Sequence, residues 1–160
     1  MIQIEKLSDS HIESLLQIRL TEDQAKYSST PKAFLAEHSN LLDMHVIKSD
    51  GLVAGFFKLD TAYSEHYDFC PSDALGLRSF AVGSNFQGRG IGTGAVRTLL
   101  PYLQANYYRF NWIYLTVNLL NPAARVCYLK GGFEDSGAQY LGGSRGPQHI
   151  MRAKITGPNK

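Results

Sequence analysis

Glycines at alternating positions between residues 87 and 94 could bind an anion through main-chain groups. An apolar segment, residues 77–82, precedes them, and a helix-forming segment, residues 95–100, follows. Glycine allows positive φ and a close approach of the backbone, and a helix start offers free N–H groups and the positive end of the helix dipole. These glycines are Gly88, Gly90, Gly92 and Gly94. We therefore predict that Gln87 to Thr93 binds a phosphate-bearing ligand.

Two common phosphate-binding motifs do not fit this segment. A Walker A loop carries Lys and Ser/Thr after its last glycine, whereas Gly94 is followed by Ala95 and Val96. A dinucleotide-binding fingerprint starting at Gly90 needs an acidic residue roughly 20 positions later to bind the ribose. The chain has no Asp or Glu between residues 74 and 133. The sequence therefore disfavours both a P-loop nucleotidase and a dinucleotide-binding enzyme.

Two motifs occur together, one in the glycine-rich segment and one downstream. Residues 87–92 read QGRGIG and residues 121–133 read NPAARVCYLKGGF. The first matches the Gln/Arg-x-x-Gly-x-Gly/Ala pattern of the GNAT superfamily of N-acetyltransferases. The second resembles the family's Asn-x-x-Ala-x-x-x-Tyr signature followed by Gly-Phe. The order of predicted elements also resembles this family over nearly the whole chain.

The resemblance implies acetyl-CoA as co-substrate. In this family the loop and helix start bind the pyrophosphate, and the preceding strand parts from its neighbour so that its free edge pairs with the pantetheine arm. One N–H of that strand would also stabilise the developing oxyanion of the thioester. The implied cofactor-binding residues are Phe80, Ala81, Val82, Gln87, Gly88, Arg89, Gly90, Ile91, Gly92, Thr93, Asn121 and Tyr128.

Tyr128 matches the family tyrosine that protonates the departing thiolate, so we predict it as the general acid. A phenol with a pKa near ~10 is neutral at pH 7 and can donate a proton, while a thiol near ~8.5 is a reasonable leaving group. A packed aromatic on the last helix is the structural alternative. For Asn121 the alternative is a helix N-cap, and for Arg89 it is a solvent-exposed side chain.

The general base is not evident, because the strand Leu75 to Val82 contains no carboxylate, unlike the central strands of several relatives. We place the tentative base region at Glu65 or Asp68. Other candidates are Asp60, Asp73 and His149. A base is dispensable if the unprotonated amine attacks directly and its proton passes to water.

Charge is unevenly distributed along the chain and bears on the acceptor. Residues 1–73 hold twelve acidic and six basic residues, whereas residues 74–133 hold six basic residues and no acidic one. The basic block suits an anionic cofactor, and the acidic first part favours a small cationic amine as substrate. A peptide or protein N-terminus or lysine is the alternative acceptor, and a non-catalytic acyl-CoA-binding module is the alternative class. A homodimer is left open.

Several other functional classes are disfavoured. His66, Asp68 and Cys70 alternate as potential metal ligands, but no second ligand pair accompanies them, so we predict no metal. Residues 107–112 mix aromatics with one Arg but lack the further basic residues of a nucleic-acid-binding surface. No segment has the roughly 20 apolar residues of a membrane span, and no signal peptide is visible. We expect a cytoplasmic protein with free thiols.

Local signals predict the elements that position these residues. Ser10 to Glu13 is a capping box, Thr30-Pro31 begins a second helix, and Asp50-Gly51 predicts a hairpin. Pro101 predicts a kink or a shortened helix after the glycine loop. The predicted order is β-α-α-β-β-β-α-β-α-β-β. We expect an α/β (α+β) fold of one domain, residues 1–160, with six to seven mostly antiparallel strands in a mixed sheet and about four helices.

Overall fold

The computed structural model describes residues 1–155, whose seven strands form one sheet in the order β1-β2-β3-β4-β5-β7-β6. Neighbouring strands are antiparallel except β4 and β5, which are parallel. This confirms the predicted mixed, mostly antiparallel sheet. The strands are β1 (Ile2–Lys6), β2 (Leu42–Ser49), β3 (Leu52–Asp60), β4 (Ala74–Val82), β5 (Trp112–Asn118), β6 (Glu134–Tyr140) and β7 (Gln148–Lys154).

Helices flank this sheet and connect its strands. They are α1 (Asp9–Leu16), α2 (Glu22–Tyr27), α3 (Pro31–Ala36), α4 (Tyr63–His66), α5 (Ile91–Asn106) and α6 (Pro122–Gly131), with a short 3-10 helix at Ser84–Phe86. The predicted element order contains neither α2 nor α4. At six and four residues they are too short to show helical periodicity in the sequence.

The predicted helix starts hold with small shifts. The helix α3 begins after Thr30, whose hydroxyl accepts the N–H of Ala33 at 3.2 Å. The helix α1 begins after Ser8 rather than Ser10, because the N–H of Ser8 donates to Nδ1 of His11 at 3.1 Å. The helix α5 continues through Pro101 to Asn106, so the proline does not shorten it.

The parallel strands β4 and β5 are paired over only three residues. Ala74 to Gly76 lie opposite Trp112 to Tyr114, and beyond Gly76 the two strands are no longer paired. A bulge in β4 follows, where Phe57 of β3 lies opposite two residues and Ser79 has a φ of 59°. The edge of β4 facing β5 is therefore free toward the glycine loop.

The core lies on both faces of the sheet. On one face α5 and α6 cover β4 and β5 through a cluster that includes Leu75, Leu77 and Tyr128. The opposite face carries a separate cluster containing Tyr63, Ala74 and Tyr114. Successive residues of a strand point to opposite faces, which accounts for the division between the two clusters.

None of the helices within residues 1–155 combines the length and the apolar character needed to cross a membrane. The longest, α5, has 16 residues.

Candidate functional site

A cleft of about 1100 Å³ opens where β4 and β5 part. It extends from the glycine loop along β4 to Tyr63, and residues of α2, α6 and the β6–β7 loop complete its walls. The structure brings together most of the predicted cofactor-binding residues here: Phe80, Ala81, Val82, Gln87, Gly88, Gly90, Ile91, Gly92, Thr93, Asn121 and Tyr128 all line the cleft. Arg89 is not among its lining residues.

The glycine loop presents main-chain donors at the cleft. Gly90 is in the left-handed conformation, with a φ of 73°, and immediately precedes α5. The N–H of Gly94 bonds back to the carbonyl of Gly90 at 2.9 Å. The N–H groups of Ile91 to Thr93 come before this bond and have no acceptor inside the helix. This arrangement suits an anionic group, because free donors and the helix dipole point the same way.

The free edge of β4 runs from this loop toward Gly76, the last β4 residue paired with β5. Ala81 pairs with Phe56, so the main-chain groups of its neighbours Phe80 and Val82 point away from β3. Two carbonyls on this edge accept hydrogen bonds from side chains of other elements. Ser28 donates to Phe80 at 3.3 Å, and Gln24 donates to Val82 at 3.1 Å.

Gln24 and Ser28 are site residues that the sequence did not indicate. Gln87 of the glycine loop also donates to the carbonyl of Val82, at 3.2 Å, so α2 and the loop meet at one backbone atom. The sequence does contain a signal for the start of α2, because Thr21 and Gln24 form a capping box. The bond from Gln24 to β4 spans 58 positions in the sequence, and no local pattern reports such a contact.

Tyr128 is buried beside the cleft, with 8% of its surface exposed. Its ring lies edge-on to Phe80, with centroids 5.8 Å apart, and 5.7 Å from the ring of Phe133. Burial raises its pKa well above the ordinary value for tyrosine. Within residues 1–155 no group makes a hydrogen bond to its hydroxyl that would compete with a ligand. The phenol is therefore neutral and available across the physiological pH range.

Asn121 and Arg89 differ in how they relate to the cleft. Asn121 occupies the N-cap position of α6, but its side chain makes no capping hydrogen bond and the residue lines the cleft. Among residues 1–155 its side-chain amide makes no hydrogen bond and can bind another partner. Arg89 is exposed, and its guanidinium carbon lies 5.9 Å from the ring centroid of Phe86. It contributes positive charge near the loop from outside the cleft.

The structure does not bring the candidate bases into the cleft. Glu65 and Asp68 are exposed and do not line it. Asp60 is buried and pairs with Arg78 at 3.3 Å. Asp73 accepts a hydrogen bond from Asn111 at 2.8 Å, and His149 lies 3.5 Å from Asp135. No carboxylate or imidazole of this set is placed to receive a proton directly, and the base role of Glu65 or Asp68 stays a prediction.

Cys70, one of the potential metal ligands in the sequence, is a protonated thiol in the structure. Burial raises the pKa of its thiol to about 12, so the sulfur is protonated at neutral pH and is a poor metal ligand. Across residues 1–155 no three His, Cys, Asp or Glu side chains are grouped to hold a metal ion. Both cysteines are free thiols.

Solved structures of several acetyltransferases have the same fold. An aminoglycoside acetyltransferase, AAC(6')-Ib, in complex with paromomycin and acetyl-CoA superposes with a TM-score of 0.75 at 18% identity, over 96% of this chain and 93% of the other. A spermidine N-acetyltransferase from Vibrio cholerae in complex with CoA and spermine gives a TM-score of 0.70 at 15% identity, covering 96% and 95%.

Proteins related in sequence are also N-acetyltransferases, and a family model matches most of the chain. An uncharacterized N-acetyltransferase, YbbJ, of Bacillus subtilis is 33% identical over 138 residues, covering 82% of this chain and 84% of the relative. A spermine/spermidine N(1)-acetyltransferase of the same species is 24% identical over 149 residues, covering 90% and 95%. The model of the acetyltransferase (GNAT) family matches residues 6–133. The chain therefore belongs to the GNAT family and is an acyl-CoA-dependent N-acetyltransferase with acetyl-CoA as its co-substrate.

Proposed function

We propose that this enzyme transfers the acetyl group of acetyl-CoA to a primary amine, with a small cationic amine as acceptor, by direct attack in a ternary complex. The observation that carries the proposal is the continuous cleft between β4 and β5. It is lined both by the glycine loop and by Tyr128. A single extended ligand can therefore reach both.

Main-chain groups hold the co-substrate in this proposal. The N–H groups of Gln87 to Thr93 bind the pyrophosphate, and Asn121 contacts the ligand from the start of α6. The free edge of β4 at Phe80 to Val82 pairs with the pantetheine arm. A backbone N–H of the same strand donates to the thioester oxygen and stabilises the negative charge that develops there. Arg89 adds favourable charge at the rim.

Tyr128 acts as the general acid. The amine nitrogen forms a bond to the carbonyl carbon, and the carbon–sulfur bond then breaks with its electron pair on sulfur. Tyr128 gives its proton to that sulfur and recovers one, through water, from the proton that the amine loses. The products are the acetylated amine and the free thiol. A neutral phenol is required for this step, and the burial of Tyr128 keeps it neutral.

The amine's proton leaves through water. Asp23 is the one carboxylate among the described residues that line the cleft, and it is highly exposed. Glu65 and Asp68 remain the predicted base region. Because both lie outside the cleft, a water molecule must connect either of them to the amine.

The relatives support an amine acceptor. The Bacillus subtilis relative is named for spermine and spermidine, and the neighbouring structures contain aminoglycosides or spermine. These acceptors share a primary amine that is protonated at neutral pH. Loss of its proton precedes attack, so we expect the rate to rise with pH until the amine is deprotonated.

Release of free thiol from acetyl-CoA in the presence of amines tests the proposal. Tyr128→Phe should lower kcat by about 10²-fold or more, the usual contribution of a positioned general acid, and change the Kd for acetyl-CoA far less, because in this proposal mainly main-chain groups hold the co-substrate. Tyr108→Phe is the matched control, because Tyr108 is 68% exposed and lies outside the cleft. Full activity of Tyr128→Phe at neutral pH would remove Tyr128 from the acid role. Failure of the wild-type enzyme to acetylate any amine would overturn the proposed reaction.

A further inference from the structure

The charges that line the cleft are unfavourable for an acceptor with several ammonium groups. Among described residues the lining contains one carboxylate, Asp23, against three cations, Lys26, Arg78 and Arg145. The side chain of Asp23 is 92% exposed and lies 3.7 Å from Lys26. An exposed, already paired carboxylate contributes little to binding a cation. Each additional ammonium group on the acceptor would therefore find no unpaired carboxylate among the described lining residues.

Two carboxylates next to the lining residue Arg78 are also already paired. Arg78 lies 3.2 Å from Glu37 and 3.3 Å from Asp60. Glu37 also accepts a hydrogen bond at 3.0 Å from Lys58, which is fully buried, and these two cations lower the pKa of Glu37. Recruiting Glu37 or Asp60 to a substrate would leave Arg78 or Lys58 without its partner, which is costly for the buried Lys58.

Aromatic rings line the cleft near the point where β4 and β5 part. Tyr63 and Tyr67 both line it, and their ring centroids are 4.5 Å apart. Phe69 and Tyr140 pack behind Tyr67, each with its centroid 5.3 Å away. Tyr67 is half-buried and so keeps part of its ring accessible, whereas Tyr63 is 2% exposed.

Tyr63 lies where β4 and β5 part. A Cβ atom placed on Gly76 would come within 2.1 Å of the Tyr63 ring, so this ring occupies the space above the last β4 residue paired with β5. Thr116 of β5 contacts the Tyr63 hydroxyl and also lines the cleft. Tyr63 thus contacts both strands at the point where they part.

The aromatic pair and Tyr128 lie on opposite faces of the sheet. Tyr63 packs with Ala74 and Tyr114, whereas Tyr128 packs in the cluster under α5 with Leu77. In the reaction proposed above, Tyr128 is on the side of the departing sulfur. The incoming amine must approach the carbonyl from another direction, and Tyr63 and Tyr67 border that approach.

We infer that Tyr63 and Tyr67 form an acceptor subsite that selects a primary amine carried on a single apolar or aromatic body, and that the subsite discriminates against polyamines. The accessible face of Tyr67 stacks on the apolar body. The ring faces also attract one ammonium group by a cation–π interaction that needs no carboxylate. This subsite narrows the acceptor class and rests on the acetyltransferase function proposed above.

A three-amine comparison tests the subsite. Phenylethylamine, butylamine and spermidine are compared as acceptors with saturating acetyl-CoA, and thiol release is recorded. We expect kcat/KM to be highest for phenylethylamine and to exceed that for spermidine by about tenfold or more, because spermidine cannot stack on Tyr67 and its further ammonium groups find no unpaired carboxylate in the described lining. Equal or better use of spermidine would overturn the subsite and leave the acetyltransferase function intact.

Variants of Tyr67 separate the role of its ring from that of its bulk. Tyr67→Leu should raise KM for phenylethylamine by about tenfold with little change in KM for butylamine, whereas Tyr67→Phe should retain wild-type values. The Kd for acetyl-CoA, measured on each variant, reports whether the fold and the cofactor site are intact. If Tyr67→Leu binds acetyl-CoA normally and shows an unchanged KM for phenylethylamine, the subsite is wrong. Absence of acetyl-CoA turnover with all amines in the wild-type enzyme would instead contradict the function itself.

Discussion

At the scale of single residues, His45 is a histidine buried in the sheet without charge. Its Nε2 atom lies 2.7 Å from the hydroxyl of Tyr102, and its Nδ1 atom lies 2.9 Å from the carbonyl of Asp43. The ring stacks on Phe57 with centroids 4.9 Å apart. Burial lowers the pKa of His45 to about 4, and the bond to the Asp43 carbonyl opposes this only in part. The imidazole therefore stays neutral in the folded protein at every physiological pH.

This lowered pKa predicts that stability falls in mild acid. In the unfolded chain the histidine has a pKa near ~6.5, so the unfolded state binds more protons than the folded state between that value and about 4. The stabilising effect is complete above the unfolded pKa and is lost as the pH falls through this window. We expect His45 to account for about 2 kcal/mol of lost unfolding free energy at pH 5. Urea unfolding at pH 7 and pH 5 measures the loss.

His45→Gln is the corresponding control, because glutamine does not titrate. Its free energy of unfolding should change less between pH 7 and pH 5 than that of the wild type. The carboxylates of Glu37 and Asp135 also have lowered pKa values, but their contribution is lost only below about pH 5. Parallel pH profiles for the two proteins would show that His45 is not the titrating group.

At the scale of secondary structure, capping and turn residues correctly predicted the elements whose ends depend on neighbouring residues in the sequence. Thr30-Pro31 begins α3, and Asp50-Gly51 connects β2 to β3 with positive φ at both residues. The helix α4 was not predicted, because its buried residue Tyr63 packs against Gly76, which lies in another element. The partner of the buried charge of Lys58 also lies in another element. Nothing in its strand shows that Glu37 satisfies a fully buried ammonium group.

Sequence motifs indicated more of the residues that line the proposed cofactor side of the cleft than of those that line the proposed acceptor side. The glycine loop and the segment from Asn121 to Tyr128 are contiguous, so their spacing is visible in the chain and the structure places both along the cleft. The acceptor side is assembled from α2, α4 and the β6–β7 loop, which come from distant parts of the sequence. The acidic composition of residues 1–73 does not make that side of the cleft acidic, because Glu65 and Asp68 lie outside the cleft.

The helix α2 should be the least protected helix against hydrogen exchange. It has six residues and none of them is buried, so little apolar packing stabilises it. The side chains of Gln24 and of Ser28, which follows the helix, connect this segment to the sheet by hydrogen bonds to carbonyls of β4. We expect amides of residues 22–27 to exchange orders of magnitude faster than the buried turns of α5. Exchange followed by mass spectrometry on the free enzyme measures this, and equal protection of α2 and α5 would contradict it.

At the scale of the whole molecule, positive charge is concentrated near the glycine loop. Residues 74–133 hold no acidic residue, and two of their six cations, Arg78 and Arg125, pair with carboxylates from elsewhere. Arg89 and Arg97 are exposed, in the loop and in the second turn of α5. They add to the positive end of the α5 dipole. The resulting field favours a polyanion such as acetyl-CoA over a neutral ligand.

Acetyl-CoA affinity should therefore depend on salt. Raising NaCl from about 50 mM to about 500 mM should increase its Kd by roughly three- to tenfold, because exposed charges are screened as the Debye length falls. Arg89→Gln should weaken binding at low salt and reduce this dependence. Arg109→Gln is the matched control, since Arg109 follows the far end of α5, roughly 25 Å along the helix and beyond the Debye length at ordinary ionic strength. A Kd that is insensitive to salt, or equal effects of the two substitutions, would show that main-chain donors bind the phosphates without help from this field.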